Sequence, residues 1–210
     1  MATDPDPLPP LRQLCSLAEL NPEALGMLDD RLGAREFLQR LASPSDVAAP
    51  EGEESAPALE PDAVRLLAHA LPTREGVWWA WASVRRVMGE NAPAPMVATL
   101  AAAEAWIAKP TDANRRAAYQ RAEEDGGASP AGLVALAAWL SGGSLAPSDA
   151  PEVPPPPFSA AKAVAGAVII AAVQDPLKAG ERYHDFLTQG LEVADRIKLW
   201  ERFPERSAKG

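Results

Sequence analysis

The 210-residue sequence has a single cysteine, Cys15, and only two histidines, His69 and His184. One thiol excludes an intrachain disulfide framework and fits a reducing compartment, and the three residues together fall short of the ligand set of a Cys/His zinc site. Strand signals are missing as well, since no β-branched or aromatic run alternates with period two. No cationic surplus exists: the net charge is -9, with four arginines against twelve acids in residues 1–60 and sixteen basic against seventeen acidic residues in 61–210. The acidity therefore belongs to the N-terminal part. A nearly neutral remainder without a basic stripe argues against nucleic-acid binding and against docking on an anionic membrane. The opening Met-Ala-Thr-Asp-Pro-Asp-Pro is acidic and proline-rich, so no secretory signal is read there, and Arg85-Arg86 lies mid-helix, outside the context of a twin-arginine signal. A cytoplasmic protein without membrane insertion is expected.

Chemistry-bearing motifs are equally sparse. Neither Gly-x-Gly-x-x-Gly nor a Gly-x4-Gly-Lys-Ser/Thr loop occurs, so no cofactor is expected. Glu181-Arg-Tyr-His184 has the Glu-x-x-His spacing of di-iron bundles, but that chemistry needs a second copy and two further inward glutamates, and His69 has no glutamate three residues before it. Cys15 sits on an apolar stripe, where a structural thiol is the default, and Glu123-Glu124-Asp125 reads as solvated charge at a helix end. No metal site and no catalytic set are expected.

What the chain does contain is helical periodicity, rich in Ala, Leu, Glu and Arg and punctuated by 22 prolines. The expected class is all-α. Ser159–Gln174 is apolar or small on every side after Lys162, as befits a helix surrounded by others. At about 15 residues it is too short for a bilayer span of about 20. About seven helices over residues 60–198 would pack around it. Ahead of them, Leu11, Leu14, Leu17, the Asn21-Pro22-Glu23 start, and Phe37, Leu38 and Leu41 predict a small helical unit over 1–42. Residues 43–59, with three prolines, four acids and no Lys or Arg, predict a disordered linker that makes this unit an arm, free to sit on the body or to bind elsewhere. Residues 142–157, ending in four prolines, read as a stiff extended strap between two core helices rather than as a ligand for a proline-binding partner. Asp175-Pro176 predicts the start of a long amphipathic helix with Leu177, Tyr183, Leu187 and Leu191 on its face and an interruption at Gly190. Residues 199–210 read as a flexible tail.

The largest apolar payload is Trp78-Trp79-Ala80-Trp81 on the helix predicted over 74–88. Val77, Trp78, Trp81, Val84 and Met88 form its core stripe, which turns Trp79 partly outward, flanked by Arg74, Arg85 and Arg86. Tryptophan with arginine is a frequent composition of binding hot spots, so Trp79, Arg86 and Arg74 are the candidate protein-binding residues, followed by Trp200 and Phe203 in the tail.

The segments Leu71–Ala80, Ala103–Trp106, Pro110–Arg116, Trp139–Pro147 and Pro154–Val164 together resemble an uncharacterised bacterial family of unknown function, over roughly residues 60–195. The resemblance implies gene neighbourhoods of type VI secretion and similar contractile machinery, and so an accessory, adaptor or chaperone-like role. It carries over no site residues. A non-enzymatic module with a protein partner is the expected function; an enzyme of unfamiliar type or a small-ligand-binding bundle is the alternative.

Overall fold

Six of the ten described α-helices start directly after a Pro, Asn, Thr or Ser residue. The computed structural model describes residues 8–29, 31–43, 58–90, 92–127, 129–147 and 149–203, and among them all regular structure is helical. Three short helices come first: α1 (Leu11–Leu17), α2 (Pro22–Gly26) and α3 (Ala34–Ala42). Seven follow: α4 (Glu60–Ala70), α5 (Thr73–Val87), α6 (Ala94–Ala108), α7 (Asp112–Glu124), α8 (Pro130–Trp139), α9 (Ser159–Val173) and α10 (Ala179–Arg196). Asn21, Thr111 and Ser129 each accept a hydrogen bond from a first-turn amide through the side chain, at 2.7, 3.3 and 3.0 Å. Such caps satisfy donors that a helix leaves without partners at its start.

The hub is α9, which packs against α4, α5, α8 and α10. Its Ala163, Val164, Ala167, Val168, Ala171 and Ala172 are buried. It is not enclosed on every side, because Ile170 and Val173 remain exposed. Small residues explain the central position, since alanine lets four helix backbones approach one axis closely. No single described helix is long and apolar enough to cross a membrane.

One point left open by the sequence is decided and two expectations are corrected. First, the N-terminal unit sits on the body: α1 and α3 lie on α4, α3 also meets α10, and Leu14, Cys15, Phe37 and Leu38 join the same buried core as the body. The Asn21 backbone N–H and Nδ2 donate to the two carboxylate oxygens of buried Asp62 at 3.0 and 2.7 Å, Arg35 pairs with Asp195, and Lys162 with Glu19. The part of the expected linker at 44–57 lies outside the described residues.

Second, Gly190 does not interrupt α10. A Cβ there would lie 2.6 Å from a Leu67 methyl and 2.8 Å from the Trp79 ring, so glycine is the socket into which those side chains fit. Leu177 lies outside α10, in a separate 3-10 turn over Pro176–Lys178, and is 97% exposed. Third, the chain after α10 stays ordered through Phe203: Leu199–Arg202 forms a 3-10 turn with Leu199 fully buried, and the Arg202 carbonyl accepts from the Leu8 N–H at 3.0 Å. Residues 204–210 of the expected tail lie outside the described residues.

Candidate functional site

The tryptophan run resolves into one core ring and two rim rings. Trp79, expected at the surface, is 0% exposed and donates its Nε1–H to the Phe186 carbonyl at 2.7 Å. Trp78 and Trp81, expected in the core stripe, are only half-buried. The buried face of α5 carries Gly76, Val77, Trp79, Ala80, Ser83 and Val84, and Val164 of α9 would lie in ordinary contact, 3.7 Å from a Cβ at Gly76. Val77, Val84 and Met88 of the expected stripe are buried, but the inward face is turned from Trp78 and Trp81 toward Trp79. The spacing of Gly76, Ala80 and Ser83 was the available signal.

Trp78 lies in a surface groove of about 230 Å³ with Ile107, Val193 and Ile197, rimmed by Arg74, Glu75 and Arg196. Arg74 is partly committed, donating to the Ile107 carbonyl at 2.7 Å at the end of α6. Arg196 is exposed and forms no hydrogen bond or ion pair with the described residues. Arg86 is paired with Asp185 at 2.6 Å instead of lining this groove. Trp200 and Phe203 are half-buried and stacked on each other, with Trp200 Nε1 donating to Asp195 at 2.6 Å, and so serve mainly to seal the end of α10. Of the five predicted site residues, only Arg74 lies in the groove.

A second concavity forms at one end of the bundle, where the strap passes. Arg115, on the charge-rich α7, is 4% exposed. It donates to the carbonyls of Trp139 and Ser144 at 3.0 and 2.9 Å and stacks over the Trp139 ring 4.0 Å from its centroid. Gly143, at φ +66°, passes so close that a Cβ would meet the guanidinium at 3.0 Å. Arg115 is thus the anchor of the loop that starts the strap. The two exposed carboxylate oxygens of Asp112 hold Arg115 and Arg116, and those contacts keep its pKa below the usual range.

Beneath the far end of the strap lies a cavity of about 350 Å³, walled by Pro155–Phe158, by His69 of α4, by the first turns of α5 and α9, and by Leu8 and Arg202. Phe158 has φ +59°, a left-handed conformation rare for a non-glycine residue, and its ring stacks on His69 with centroids 5.5 Å apart. His69 is 5% exposed, and its Nδ1 lies 2.8 Å from the Arg65 carbonyl. A carbonyl can only accept, so Nδ1 carries the proton and neutral His69 presents a lone pair at Nε2. That atom and the Ser159 Oγ are both buried without a hydrogen-bond partner among the described residues. Burial pushes the His69 pKa below 6.5, assisted by the Lys162 ammonium and opposed by the Arg65 carbonyl and Glu19. Sequence reasoning set His69 aside as a lone helix histidine, and only the meeting of α4 with the strap gives it neighbours.

Metal-binding groups of three or more His, Cys, Asp or Glu side chains are not found among the described residues, and Glu181 and His184 both face solvent. The molecule is an all-α bundle whose proline strap closes one end over a small cavity. The chain belongs to a family of unknown function, DUF6931, whose model matches residues 54–194. No curated protein and no solved structure matches it.

Proposed function

We propose that this protein is a non-enzymatic protein-binding module whose groove at Trp78 takes an apolar side chain from an acidic segment of a partner. The observation that carries the reading is the pairing of a half-exposed tryptophan over an Ile107, Val193 and Ile197 floor with Arg196, a cation without a partner among the described residues. Tryptophan and arginine in one concavity are the residue types that dominate interface energetics, and an arginine rim favours a carboxylate on the incoming chain. The role of an accessory or adaptor in a type VI or similar secretion machine rests on the family resemblance. Placement in the cytoplasm rests on the lone cysteine, whose buried thiol is pushed up to about 11 and so kept from the reactive thiolate form.

Selection from a displayed random-peptide library, with counter-selection on folded Trp78→Ala and Arg196→Glu variants, is the test. Enriched peptides are expected to pair Leu, Ile or Phe with Asp or Glu and to lose at least about tenfold in affinity on either variant, equivalent to about 1.4 kcal/mol. Absence of enrichment, or peptides that bind the variants as well as the wild type, would overturn the reading.

A further inference from the structure

The cavity under the strap shares no lining residue with the Trp78 groove. Three unfavourable features meet in its wall: an imidazole nitrogen and a hydroxyl, both buried without partners among the described residues, and a left-handed phenylalanine between strap and helix. Unsatisfied buried polar atoms and a left-handed non-glycine residue are each destabilising, and a ligand that bonds to the two polar atoms would relieve their part of that strain.

Its donors and acceptors are of defined kinds. Helix α9 begins at Ser159 without a side-chain cap, and Ala160 and Ala161, at the positive end of a 15-residue helix dipole, line the cavity. Helix α5 brings a second uncapped first turn, at Thr73. First-turn amides with a serine hydroxyl suit an anion. His69 Nε2, by contrast, offers a lone pair, because the Arg65 carbonyl holds the ring proton on Nδ1. An oxyanion with acceptor oxygens on every side would set one of them against that lone pair, whereas a ligand with a donor beside its carboxylate satisfies both.

We propose that the strap cavity binds a small α-hydroxy or α-amino carboxylate. Its carboxylate accepts from Ser159 Oγ and the first-turn amides of α9, and its hydroxyl or amino group donates to His69 Nε2. The Phe158 ring, which now covers His69, turns aside to admit it. This inference stands apart from the peptide groove, and each can fail without the other.

With only two histidines in the chain, the imidazole signals of His69 are resolved from those of exposed His184, which serves as the internal control. Lactate and alanine are titrated separately at millimolar concentrations, with propionate, which lacks the donor, and sulfate, which has only acceptor oxygens, as comparisons. Expected is a saturable shift of His69 alone by lactate or alanine, with a rise in Tm, and affinity at least about tenfold weaker for propionate and for sulfate. In Ser159→Ala, removal of an unpartnered hydroxyl leaves the ligand-free Tm unchanged or raised, while the ligand-induced shift and stabilisation weaken at least about tenfold. His69→Gln should likewise abolish stabilisation by the ligand. No saturable shift with either probe, equal binding of propionate or sulfate, or undiminished binding by folded Ser159→Ala would overturn the proposal.

Discussion

Two side chains separated by one peptide bond, Trp78 and Trp79, have opposite fates. Trp79 fills the space between α5 and α10, and its indole N–H satisfies the Phe186 carbonyl. Truncation by Trp79→Ala would open a cavity and remove that donor, so a loss of about 3–5 kcal/mol is expected by chemical denaturation. Trp78→Ala, at the rim, should cost far less in the same assay. His69 is the second residue with a measurable signature. Its folded pKa lies below 6.5, so between 6.5 and that lower value the unfolded chain binds the extra proton. Stability should therefore fall as pH drops below about 6.5 and level off once the folded state also protonates. This component should disappear from the pH profile of His69→Gln. The pKa values of Glu19, Asp112 and Asp195 are lowered by their ion-pair and hydrogen-bond partners, so their losses come in the more acidic carboxylate range and do not mimic it.

At the scale of elements, α10 shows propensity yielding to packing. Glycine inside a helix ordinarily costs about 0.5–1 kcal/mol against alanine, so Gly190→Ala would stabilise an isolated α10. Here the added methyl would press on Leu67 and on a Trp79 ring that is fully buried and held by its hydrogen bond. Overpacking of this kind costs about 1–3 kcal/mol, and a net fall in Tm is expected. The strap follows a related logic. Four prolines keep its end extended, Arg115 ties its start to α7, and the cavity is the space left where this stiff segment meets α9.

For the whole molecule, the join between the N-terminal helices and the body rests on Asn21 and Asp62. Asn21 caps α2 with its side-chain oxygen and donates twice to the carboxylate, which is 1% exposed and also accepts from Arg65 at 2.9 Å. Asn21→Ala removes a cap and leaves a buried carboxylate with fewer donors, a combined loss of about 2–3 kcal/mol. Hydrogen exchange should then show α1–α3 opening ahead of the body. The sequence alone determined the all-α class and the bounds of α5 and of the central helix α9 to within a residue, because periodicity, capping and proline act within a few residues of chain, but not the start of α10. Tertiary structure decided which face of α5 is inside, why Gly190 is glycine, that Arg115 is buried, and that His69 and Ser159 share one cavity wall. Burial and partnership are properties of segments far apart in sequence, and the space for a side chain as large as Trp79 is set by a small residue on another helix, Gly190.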